Sequence, residues 1–230
     1  MKNLILELKN TLNKRLVSVI MYGSKVKYEP EYVTDDINIM VIIDELSGAD
    51  LRSCAPAVKK WIKNGNPPPV FMDKSEWFSS SDVYAMEYLD IKAAHRILYG
   101  EDVVSQVAVE SRDVRFQCEQ EAKNLLMRFR QFYLENTSNA KRLKDAFTPL
   151  TKTCNAIFKT ILRLKNIDVP REKSDIITKT CEAAGLNAET FNRLLCYKRK
   201  QCRLNDRETI EFADKIVKSL SELLNYTNNM

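Results

Sequence analysis

Two short stretches near the N-terminus carry residue types that could do chemistry together. The first is Met21-Tyr22-Gly23-Ser24. The second is Thr34-Asp35-Asp36-Ile37-Asn38, which runs directly into Ile39-Met40-Val41-Ile42-Ile43. The apolar run ahead of Gly23 reads as a strand ending in a small-residue turn. The run after Asn38 reads as a buried strand entered through a carboxylate pair. Backbone N–H groups and a hydroxyl at such a turn can hold phosphate oxygens, with glycine allowing close approach. A strand-borne carboxylate beside them can hold a magnesium ion on the phosphates. Positions 36 and 38 point to the same side of a strand. Two-metal chemistry asks for a carboxylate at both, and position 38 is an asparagine.

The elements that must place these residues follow from the hydrophobic pattern. Leu4, Ile5, Leu8, Leu12 and Leu16 predict an amphipathic helix over residues 2–15. Strands follow at Leu16–Tyr22 and Ile37–Ile43, the second apolar on both faces. A helix is predicted from Asp50 to Asn64, stopped by Gly65 and Pro67-Pro68-Pro69. Val70–Met72 reads as a third strand and Lys74–Phe78 as a short helix that Asp73 caps. Val83–Ile91 reads as a fourth strand, and Lys92–Tyr99 as a helical turn closed by Gly100.

After Val107 strand signals cease and Gly185 is the last glycine. Helices are expected over 112–135, 150–164, 175–184, 188–197 and 207–226. The fold class expected is therefore a mixed-sheet α/β (α+β) unit, residues 1–106, followed by an all-α helical bundle, residues 107–230.

The 230 residues are 44% hydrophobic and 29% charged, as in ordinary globular proteins. No apolar run approaches the roughly 20 residues of a membrane span. The N-terminal pattern is not that of a signal peptide, so the expectation is a cytoplasmic protein with no membrane partner. Six scattered cysteines without a CxxC pair, and a single histidine, His95, argue against zinc and for reduced thiols. The net charge of +5 is uneven: residues 112–230 hold 23 Lys and Arg against 15 Asp and Glu. That half reads mainly as solvated helix faces, with a nucleic acid as a weaker alternative partner.

The order Tyr22-Gly23-Ser24, then Asp35-Asp36-Ile37-Asn38, resembles the signature of the nucleotidyltransferase superfamily, Gly-Ser followed by Ser-Asp-x-Asp on the next strand. The segments Asp82–Ile91 and His95–Asp102, with Leu98-Tyr99-Gly100-Glu101-Asp102, look like bacterial aminoglycoside-type members, which add a helical C-terminal domain. The resemblance implies magnesium-dependent transfer of a nucleoside monophosphate from a nucleoside triphosphate to a hydroxyl acceptor. It implies nucleotide contacts for Gly23, Ser24 and Lys25, with Asp36 as metal ligand and catalytic residue.

Asn38 departs from the pattern, keeping at most a weakened metal role through its carbonyl oxygen. The missing charge is then sought in Glu87 as a catalytic carboxylate, in Asp90 as a metal ligand, or in Asp73 or Asp35. Glu87 and Asp90, three apart on an expected strand, would face opposite ways. Asn38 also raises the alternative of a catalytically impaired, nucleotide-binding or regulatory module. Neither the acceptor nor the oligomeric state follows from the residues.

Overall fold

A computed structural model describes residues 1–23, 26 and 37–230. Ser24, Lys25, Asp35 and Asp36 lie outside the described residues. The chain divides into two compact units, Met1–Glu110 and Ser111–Met230.

The first unit is built on a four-stranded mixed sheet. Its strands are β1 (Leu16–Tyr22), β2 (Asn38–Ile43), β3 (Val70–Asp73) and β4 (His95–Gly100), in the order β3-β2-β1-β4. β1 runs antiparallel to both β2 and β4, and β2 runs parallel to β3. β1 and β2 therefore lie inside the sheet, and their near-continuous apolar sequences are covered on both faces.

Helices α1 (Lys2–Leu12) and α2 (Gly48–Lys63) cover one face. Leu4, Leu8 and Leu12, at four-residue spacing, pack with Trp61 and Cys54 onto Val19, Met21, Ile39 and Val41. Leu8 is fully buried, so truncating it to alanine costs about 2–5 kcal/mol. α2 starts with a capping box, Ser47 accepting from the Asp50 N–H and Asp50 accepting from the Ser47 N–H. The same Asp50 carboxylate takes a two-pronged bond from Arg15, at 2.9 and 2.5 Å. The pair ties the start of β1 to the start of α2.

The other face carries α3 (Lys74–Ser79), α4 (Ala85–Ala93) and the segment 103–107. Trp77 is fully buried, stacks on Tyr88 at 4.4 Å, and donates its indole N–H to the Val103 carbonyl. The Tyr88 hydroxyl donates to the Trp77 carbonyl at 2.7 Å, and burial pushes its pKa up to about 12.

The stretch 83–91 is mostly helix, where a strand was expected. Of its buried residues Ala85, Met86, Tyr88 and Ile91, three recur every three positions, a helical period that the mixed apolar and acidic composition obscured. The strand is instead His95–Gly100, where a helical turn was expected. It ends at Gly100, with φ of +81° and a would-be Cβ only 1.9 Å from the Val17 carbonyl oxygen. No other residue fits that approach.

The second unit is all-α: α5 (Ser111–Glu135), α6 (Ala140–Leu164), α7 (Lys173–Ala184), α8 (Glu189–Lys198) and α9 (Asp206–Asn228). α6 is its hub, packing against the other four helices. Phe147, Ile157, Phe158 and Ile161 are fully buried along it. α6 starts ten residues earlier than expected. Asn139 caps it, accepting from the Arg142 N–H at 3.1 Å, and Pro149 lies inside it. A proline deep in a helix reads from sequence as a start, but tertiary packing carries this helix through it.

Cys118 and Cys154 are buried in this unit, and burial pushes both thiols up to about 12. They serve as small core residues rather than nucleophiles. No described helix is long and apolar enough to cross a membrane.

Candidate functional site

β1 delivers the turn. Tyr22, its last residue, is level with Asn38 on β2 and with His95 on β4. Gly23 follows with φ of +96°, and its N–H donates to the Ala94 carbonyl at 2.9 Å. That bond anchors the turn to the residue that links α4 and β4. A Cβ on Gly23 would lie 3.1 Å from the Asn38 amide nitrogen, Nδ2. Asn38 thus reaches across to the turn, where the positive φ favours glycine and a methyl would have to push the amide aside.

The face of the sheet that holds this site follows from strand alternation. Met40 and Ile42 belong to the core beneath α3 and α4, as do Ile20 and Tyr22. Asn38 is in phase with Met40 and Ile42, so its side chain lies on the same face. α4 covers that face, and Glu87 on it is exposed. Burial raises the Tyr22 pKa, and the Glu87 carboxylate raises it further. Glu87 is therefore electrostatically coupled to the last residue of β1, immediately ahead of the turn.

Because this stretch is helical, Glu87 and Asp90 are neighbours along one side of α4, about 5–6 Å apart at Cβ, and not on opposite faces. His95 places Nδ1 3.1 Å from the Ile91 carbonyl, so that nitrogen is the donor. Its role there is to join β4 to the end of α4. Asp102 feels the histidine, but its carboxyl is lowered first by the Ser105 N–H.

Asp73 is removed from the site by the parallel register. It is level with Ile43, at the far end of β2 from Asn38, five strand residues or about 17 Å away. It caps α3 instead, accepting from the Glu76 N–H at 2.7 Å and from Ser75 Oγ at 2.8 Å. These donors hold its carboxyl below the usual range. β3 starts only at Val70, level with Met40, so it has no residue paired with Asn38. No acidic side chain of β3 stands next to Asn38.

Among the described residues, no three His, Cys, Asp or Glu side chains converge on a possible metal position. Of the residues singled out from sequence, the structure brings Gly23, Asn38 and Glu87 to one end of the sheet. Asp90 shares the helix with Glu87. Tyr22 was given no part from sequence, and its position opposite Asn38 required the strand register.

No family model matches the chain, and no curated protein matches it. Among solved structures it is similar to the spectinomycin adenyltransferase AAD(9) from Enterococcus faecialis, a crystal structure with ATP and spectinomycin. The TM-score is 0.57 at 14% identity, covering 96% of this chain and 97% of that one. The chain has an aminoglycoside-nucleotidyltransferase-like fold. The likeness runs over both units, the mixed-sheet unit and the helical one alike.

Proposed function

We propose that the protein binds a nucleoside triphosphate at the turn after β1 and transfers its nucleoside monophosphate to a hydroxyl acceptor. The observation that carries this reading is the meeting of Gly23, Asn38 and Glu87 at one end of a nucleotidyltransferase-like sheet. Gly23 allows the backbone to approach phosphate oxygens, and Ser24 and Lys25 follow it with a hydroxyl and a cation. Asn38 offers an amide beside the turn, able to donate from Nδ2 to a phosphate oxygen.

In the transfer, the acceptor oxygen attacks the α-phosphorus while the bond from that phosphorus to the α,β-bridging oxygen breaks, and pyrophosphate leaves. The hydroxyl proton goes to Glu87, the carboxylate on the helix that covers this face of the sheet. Magnesium is commonly held by one or two carboxylates together with substrate phosphates. In this reading Asp36, the Asn38 carbonyl oxygen and the phosphates themselves would hold it, with Asp90 as the outer candidate. When bound, magnesium would neutralise charge on the phosphates. The neighbour's crystals with ATP and spectinomycin support a nucleotide as one substrate.

A second reading is favoured by a specific observation. Position 38, where the signature has a carboxylate, is an asparagine, and β3 supplies no acidic residue paired with it. A protein of this kind would bind the nucleotide and not transfer it. Pyrophosphate release with a panel of hydroxyl acceptors separates the two. Release that disappears in Glu87→Gln supports transfer, whereas tight nucleotide binding without release from any acceptor supports the binding module.

A further inference from the structure

The helical unit carries a cationic groove of its own. It is open, has a volume of about 710 Å³, and forms where the first turns of α6 meet the end of α8 and the connection to α9. Lys144 enters from α6, Lys198 from α8, and Lys200 and Arg203 from the connection. Tyr197 stands among them.

Helix-end electrostatics explain only part of this. Cations near the last carbonyls of α8 are favourable, which accounts for Lys198. It does not account for Lys144 or Arg203, which come from other elements and turn into the same space. The one acidic residue of the lining, Asp145, is already engaged with Arg142 at 3.5 Å. Lys144 pairs with Asp206 at 3.5 Å, but that aspartate is 85% exposed and exchanges readily with water or a competing anion.

Lys200 and Arg203 are exposed and form no ion pair among the described residues. The backbone fixes where Lys200 stands. Lys200 has φ of +58°, its N–H donates to the Tyr197 carbonyl, and the Gln201 N–H donates to the Cys196 carbonyl. That is a closed C-terminal turn rather than a wandering loop. Tyr197 is held too, its ring edge-on to Phe147 at 5.2 Å and 84°.

We propose that this groove binds the sugar-phosphate backbone of a single-stranded nucleic acid, with Lys144, Lys198, Lys200 and Arg203 on successive phosphates and Tyr197 as a base-stacking surface. The combination of a positive track with a fixed aromatic ring is the physical recipe for sequence-tolerant single-strand binding. An acidic peptide would use the cations and leave the ring idle. A mononucleotide would want walls, and this groove is open, with Asp145, Thr148, Lys200 and Arg203 exposed along it. The proposal does not depend on whether the turn after β1 transfers a nucleotide.

The test is fluorescence anisotropy of a labelled single-stranded RNA, on the order of ten nucleotides long, with the full chain. Binding is expected at low salt, weakening with a log–log salt slope of about −2 to −3 for four contacted phosphates. Lys200→Glu combined with Arg203→Glu should weaken it at least about tenfold, with an unchanged circular-dichroism melt. Glu87→Gln should leave it unaltered, which separates this site from the proposed transfer site. No binding at 50 mM salt, or binding indifferent to the double substitution, would overturn the proposal. So would displacement of the RNA by ATP or by polyglutamate as effectively as by unlabelled RNA, which would reassign the groove to a mononucleotide or to an acidic protein.

Discussion

Asn38 Nδ2 stands 3.1 Å from where a Cβ on Gly23 would be, so the strand residue and the turn residue occupy one shared space. The asparagine that departs from the family signature is thus in contact range of the turn expected to hold phosphate. Substituting Gly23 by alanine has two costs. A φ of +96° is strained for any residue with a side chain, at about 1–3 kcal/mol, and the added methyl pushes the Asn38 amide away. The expected result is a lower thermal midpoint together with weaker nucleotide binding. An unchanged midpoint would mean that the turn relaxes at no cost.

Asn38→Asp places a carboxylate on the face of β2 that looks toward the turn. It should strengthen magnesium-dependent triphosphate binding by on the order of tenfold, about 1.4 kcal/mol, because magnesium favours charged oxygen ligands. Without magnesium the same charge faces phosphate and should weaken binding. Titration calorimetry in magnesium and in EDTA reads both signs, and equal changes in the two buffers would count against a metal at position 38.

Glu87→Gln tests the link between α4 and the end of β1. The Tyr22 phenol is raised first by burial and then by the Glu87 charge. Removing that charge should lower the Tyr22 titration midpoint while burial keeps it above the ordinary phenol value, as read by ultraviolet absorbance against a Tyr22→Phe control. If Glu87 also takes the acceptor proton, pyrophosphate release falls by roughly 10²–10⁴-fold with nucleotide affinity retained.

Arg15 and Asp50 give a pH dependence with a definite sign. Hydrogen bonds from Arg15 and then from Ser47 hold the Asp50 carboxyl well below its usual range. A depressed carboxyl pKa contributes stability that is fully present above the unfolded value, about 3.9, and is lost as pH falls toward the folded value. The wild type should therefore lose stability below about pH 4. Arg15→Ala should be less stable at pH 7, because it leaves Asp50 at 5% exposure without its guanidinium, and should show a flatter acid limb. Parallel denaturation curves across that range would contradict the assignment.

Much of the framework was legible because it rests on periodicity. The leucines of α1, the apolar runs of β1 and β2, and the stop at Pro67-Pro68-Pro69 all declare themselves along the chain. The α4–β4 segment did not. Glu87 and Asp90 interrupt an apolar stretch there and obscure the helical recurrence of Ala85, Tyr88 and Ile91. Asp73 looked available as a ligand because sequence says nothing of sheet order. The parallel pairing of β2 with β3 puts it at the wrong end, level with Ile43. Tyr22 was visible as a letter, but its place beside Glu87 depends on a helix that sequence had read as a strand.

The most direct measurement is a calorimetric titration of the full chain with ATP, GTP, CTP and UTP, each with and without magnesium. The account predicts one-to-one binding of at least one triphosphate, strengthened by magnesium and weakened by Gly23→Ala. No heat of binding for any of the four, in either condition, would contradict it.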